Sequence, residues 1–151
     1  NIKYGDGNAF IPGKTTAWTA KKAFSETYKG GIFGKTLKKE ANNAIEDFAR
    51  KNGLFNRETA EKEFCAYIRK ELTLIQRSDI SDMFEPVMSS KHAYPFGVGH
   101  GSSYWSGRDN GKEGFAEMYS AMVNNPESLE QIKRFFPESH EIFLEMLEVV
   151  K

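Results

Sequence analysis

From Thr16 onward apolar residues recur at helical spacing, with polar residues filling the positions between them. Ala17, Ala20, Phe24 and Tyr28 share a face and predict a first helix, which Gly30-Gly31 should stop. Leu37, Ala41, Ala44, Ile45 and Phe48 predict a second helix from about Thr36 to Lys51, closed by Gly53. Asn56 is placed to cap a third, whose stripe is Ala60, Phe64, Tyr67, Ile68, Leu72 and Ile75. The opposite faces are rich in Lys and Glu and read as solvated surface. After Ser78 a short helix should turn Ile80, Met83, Phe84 and Val87 inward, with Pro86 ending or bending it.

The period then changes. His92, Tyr94, Phe96, Val98 and His100 alternate, with Gly97, Gly99 and Gly101 interleaved, which suits a small β-hairpin at about 92–105 or an ordered loop. Asn110-Gly111-Lys112-Glu113 reads as a capping box opening a helix to about Asn124. Asn125-Pro126-Glu127 places a cap, a first-turn proline and an acid ahead of Leu129, Ile132 and Phe135. Pro137 starts the last helix, with Ile142, Phe143, Met146, Leu147 and Val150 inward. The expected fold is mainly α (α+β), a single domain or a fragment of a larger one. Its parts are an irregular entry (1–15), a helical part (16–88), and the hairpin, a Glu-bearing helix and a helix pair (89–151).

Composition narrows the function. Among 151 residues, 12 Phe and 6 Tyr supply bulk for a core, and 21 basic residues balance 21 acidic ones. That balance argues against a nucleic-acid partner, which normally meets a basic excess. No apolar run approaches the ~20 residues of a membrane span, and no signal-peptide pattern is visible, so no membrane partner is expected. The single cysteine, Cys65, can form neither an internal disulfide nor a cysteine-based zinc cluster and reads as a core residue. The chain begins at Asn1, not Met, which suggests a piece of something longer.

Chemistry concentrates in His100-Gly-Ser-Ser-Tyr104-Trp105 and in Glu113-Gly-Phe-Ala-Glu117. Glu113 and Glu117, four apart on a helix, can point to one locus. Each residue also has an ordinary reading. Glu113 suits the third position of a capping box, His100 a turn, Tyr104 and Trp105 the core, and His140 the surface. His92, His100 and Glu113 could also meet in a small site of their own.

The stretch from Gly99 to Leu147 resembles the C-terminal part of the zincin-like domain of phage minor head (head morphogenesis) proteins. The resemblance rests on the Gly-His loop with its Tyr-Trp pair, the Glu-x-Phe-Ala helix, Asn125-Pro126-Glu127, Phe136-Pro137, and Ser81-Asp82-Met83-Phe84 upstream. More distantly, the arrangement is similar to the catalytic domain of anthrax lethal factor, a gluzincin. The resemblance implies Glu113 as a zinc ligand and Glu117 as a carboxylate orienting a histidine ligand. It implies Tyr104 or His100 as the group acting on the substrate carbonyl or oxyanion.

The HExxH that supplies the other ligands and the catalytic Glu is missing, and the histidines are His92, His100 and His140 alone. Either the HExxH lies upstream of Asn1, so that zinc belongs to a longer parent metallopeptidase, or the fold is a degenerate zincin scaffold. On both accounts this chain alone carries no zinc and no peptidase activity. The implied partners are phage head or portal proteins, or a peptide substrate. The implied location is the bacterial cytoplasm or the virion.

Overall fold

The structure, a computed structural model, describes residues 30–89, 95–100, 102–105 and 108–148. Among them the chain is mainly α, with six helices and no strand. These are α1 (Gly30–Lys51), α2 (Arg57–Glu71), α3 (Leu74–Phe84), α4 (Asn110–Asn124), α5 (Pro126–Phe135) and α6 (Pro137–Glu148), with 3-10 turns at Glu85–Val87 and Ser102–Trp105. No helix among the described residues is long and apolar enough to cross a membrane. The predicted helix over 16–28, and with it His92, Tyr94 and Val150, lies outside the described residues.

Gly30 and Gly31 are helical in α1, where the sequence pattern predicts a stop. Tertiary packing overrides glycine's weak helix propensity. Phe33 is fully buried and meets the Phe115 ring edge-on at 5.7 Å, and Leu37, Ala41 and Ile45 continue the buried face. The far end stops as expected, with Gly53 in the left-handed region (φ 66°) and the Leu54 N–H returning to the Ala49 carbonyl.

α2 is capped by Asn56, whose side chain accepts from the Thr59 N–H. Its Ala60, Phe64, Cys65 and Ile68 are buried. α3 begins at Leu74, five residues before the predicted start, because Thr73 and Gln76 form a reciprocal capping box. Ile75 is therefore a first-turn residue of α3 and half exposed, not part of the buried stripe of α2.

The core has two aromatic centres. Phe84 lies between Phe64 (5.2 Å), Phe96 (5.6 Å) and Phe136 (5.0 Å), joining α2, α3 and the segment before α6. Phe115 on α4 bridges Phe33 and Phe143, joining α1 to α6. α1 also reaches α6 through a buried acid. Glu40 accepts from the N–H groups of Glu138 and Ser139 and from the Ser139 hydroxyl, satisfying free donors at the α6 N-terminus.

The predicted hairpin is not formed among the described residues, where 95–99 is a turn and bends and 102–105 a 3-10 turn. Gly97 (φ 77°) and Gly99 (φ 98°) take left-handed backbone that breaks a strand. The backbone there is satisfied by side chains: Arg77 donates to the Phe96 carbonyl at 3.0 Å and Arg69 to that of Pro95. Phe96 is nevertheless fully buried, as its place in the alternating pattern suggested.

Candidate functional site

Two helices and one loop meet at the site. α3 places Asp79 and Asp82 on one face, with Glu85 one turn further on. α4, packed against α3, brings Glu113 and Glu117. The loop supplies His100, Tyr104 and Trp105.

Glu85 holds the loop in place. Its buried carboxylate accepts the His100 N–H on both oxygens (3.1 and 3.2 Å) and the Trp105 indole N–H at 3.0 Å. Gly99 permits this approach, since a Cβ at that position would strike Glu85 Oε2. Burial pushes the Glu85 carboxyl up to about 7, against the pull of Trp105 and the His100 N–H.

With the loop fixed, the His100 ring stacks on the Tyr104 ring, 3.5 Å between centroids and 5° from parallel. The Tyr104 hydroxyl donates to Glu113 Oε1 at 2.6 Å. That bond, followed by burial and the Glu113 charge, raises the phenol to about 12, so Tyr104 is a neutral donor. His100 Nε2 lies 3.6 Å from Asp82 Oδ1, and the Arg108 guanidinium sits 3.9 Å from the centre of the Tyr104 ring.

Behind this pair is a cluster of acids. Burial, then Asp82, Asp79 and Glu113, drives Glu117 up to about 9, which keeps its carboxyl protonated at neutral pH. Burial raises Asp82 to about 6, with His100 lowering it and Glu113 raising it. Asp79 is also raised by burial, against the Ser128 hydroxyl and the Asn125 amide, whose Nδ2 donates to Asp79 Oδ2 at 2.9 Å.

The four residues singled out by sequence thus come to one place. Two local expectations are corrected. Glu113 is not a capping-box acid, because Asp109 is the N-cap and accepts from Gly111 and Lys112, leaving Glu113 to Tyr104. Asn125 makes no side-chain cap for α5 and binds Asp79 instead.

His140 is half-buried against Phe143, so burial lowers its pKa; it is not a plain surface residue. Cys65 is a core residue, as read, with burial pushing its thiol up to about 12. Sequence reasoning missed Glu85 and the roles of Asp79 and Asp82. Their signal was present, because Asp79, Asp82 and Glu85 recur every three residues among Ile80, Met83 and Phe84.

The donor set does not fit the zinc that the resemblance implies. Glu113 is engaged by Tyr104, and its neighbours across the helix interface are the acids Asp82 and Glu117. Among the described residues no three His, Cys, Asp or Glu side chains group so as to hold a metal ion.

An open groove of about 630 Å³ lies elsewhere, lined in part by Ala44, Phe48, Tyr67, Arg134, Phe135 and Pro137. No family model, curated protein or solved structure matches the chain.

Proposed function

We propose that the chain is the zincin-like part of a phage or prophage minor head protein and works as a non-catalytic interaction module of the head. One observation carries the second half of this reading: His100, Tyr104 and Glu113 are engaged with one another, by a ring stack at 3.5 Å and a hydrogen bond at 2.6 Å. A peptidase site needs such groups turned toward substrate and metal. Here they fasten a loop to α4. The groove between α1, α2 and α5, where Phe48, Tyr67 and Phe135 stand among charged Asp47, Lys51 and Arg134, offers a docking surface for a portal or capsid protein.

The test has two arms. The purified chain, supplied with zinc, is expected to leave unstructured peptide substrates intact. It is also expected to co-elute with a portal protein of the same phage or prophage. Zinc-dependent cleavage that disappears in Glu113→Gln would instead make this chain a metallopeptidase.

A further inference from the structure

The groove between α1, α2 and α5 is lined by charged residues of both signs, which differ in what they already hold. Glu40 is engaged by the N-terminus of α6, through the Glu138 and Ser139 N–H groups. Asp47 is paired with Arg50, one turn further along α1. Both acids are therefore satisfied. The two bases are not: among the described residues neither Lys51 nor Arg134 pairs with a carboxylate.

Arg134 is also held in position. Its Nη2 donates to the Tyr67 hydroxyl at 2.6 Å and its Nη1 to Gln131 Oε1 at 3.2 Å. The guanidinium lies over the Phe135 ring, 4.6 Å from its centre. These contacts leave N–H donors over, enough for a carboxylate to be taken side-on. An arginine fixed in this way loses little freedom when its partner arrives.

The surface beside it is aromatic. Phe48 meets the Phe64 ring edge-on at 5.5 Å and the Tyr67 ring at 5.4 Å, and Phe135 lies 6.1 Å from Phe64. Phe64 is buried, whereas Phe48, Tyr67 and Phe135 are only partly so and keep ring surface on the groove. Arginine and tyrosine are among the residue types that dominate binding energy at protein interfaces. The space, about 630 Å³, admits side chains of a peptide segment.

We propose that the groove takes an acidic peptide segment of the partner. A carboxylate of that segment pairs with Arg134, with Lys51 beside it, and a neighbouring aromatic or aliphatic side chain packs on Phe48, Tyr67 and Phe135. The chain's own residues 1–29 have the wrong sign for this place, with five lysines against two acids. A phosphate backbone suits it less than a peptide, since Glu40 and Asp47 stand in the same groove. This inference rests on the docking reading above and adds the chemistry of the segment recognised.

The experiment selects a random peptide library, displayed on yeast, against the full chain. The recovered peptides are expected to carry Asp or Glu beside Phe, Leu or Ile. Synthesised, they should bind the unmodified chain at least about fivefold more tightly than Arg134→Gln, and more weakly as salt rises. Replacing their acids by the amides should weaken binding to a similar degree. Should Arg134→Gln not fold by circular dichroism, Lys51→Gln at the exposed second base serves instead, with a loss of about twofold.

Peptides without acids, or with lysine in their place, would overturn the proposal. So would acidic peptides whose binding ignores these substitutions. Recovery of no peptide would also overturn it and point to residues 1–29 or a second copy over the groove, which sedimentation of the chain alone separates. Portal co-elution that survives both Arg134→Gln and excess acidic peptide would end this inference and leave the docking role. Acidic peptides held at Arg134 without portal co-elution would end the portal assignment and leave this inference.

Discussion

The Tyr104 hydroxyl donates to Glu113 Oε1 across 2.6 Å, and this bond ties the loop after Gly99 to the first turns of α4. A carboxylate bonded in this way loses its partner if the hydroxyl is removed. Tyr104→Phe is expected to destabilise the fold by about 1 kcal/mol. Glu113→Gln should cost less, because the amide oxygen still accepts. In a double-mutant cycle read by thermal unfolding the two changes should couple; strict additivity would show the bond contributes nothing.

Glu85 is the other fastening of that loop, with three hydrogen bonds from His100 and Trp105. Glu85→Ala should cost about 2 kcal/mol, since two part-buried donors lose their acceptor. Gly99→Ala should be at least as damaging, because the left-handed backbone is strained for alanine and its Cβ meets the same carboxylate. Both should shift the tryptophan fluorescence to the red as Trp105 is released. An unchanged spectrum in both variants would argue that Glu85 does not anchor the loop.

The acid cluster makes stability depend on pH with a definite sign. Asp82, Glu85 and Glu117 are raised in the fold to about 6, 7 and 9. The folded chain therefore binds more protons than the unfolded one above ordinary carboxylate pKa values. This contribution is fully present below about pH 4 and is lost progressively as pH rises to 9. The melting temperature should fall across that range. Glu117→Gln, which mimics the protonated acid, should melt ~5 °C above the unmodified chain at pH 8 and match it near pH 5. A difference independent of pH would place the effect elsewhere.

Midway along α1, Glu40 caps α6 from nearly a hundred residues away. Glu40→Ala should cost about 1–2 kcal/mol. It should also speed amide exchange at Glu138 and Ser139 while leaving the Trp105 signal unchanged. Equal acceleration throughout the chain would mean the contact reports global stability and not a local cap.

The helices were legible because their apolar stripes are. Phe64 and Ile68 on α2, Ile80, Met83 and Phe84 on α3, and Phe143 and Met146 on α6 are buried as the spacing requires. What local pattern could not carry were decisions made by distant partners. Gly30-Gly31 reads as a stop unless the packing of Phe33 on Phe115 is known.

The alternation through Phe96 reads as a strand unless the arginines that take its carbonyls are known. Glu113 reads as a cap because Asp109, the true cap, sits one residue before the expected one. The candidate residues were found, but their engagement with one another, through Glu85, was not. The i, i+3 spacing of Asp79, Asp82 and Glu85 marks an acidic face, but nothing local says that Glu85 holds a loop fifteen residues away.

Zinc titration of the unmodified chain by calorimetry tests the central claim most directly. With Tyr104 on Glu113 and no group of three His, Cys, Asp or Glu side chains able to hold a metal among the described residues, no stoichiometric, sub-micromolar uptake is expected. One tight equivalent of zinc, lost in Glu113→Gln, would contradict the account and return the chain to the metallopeptidases.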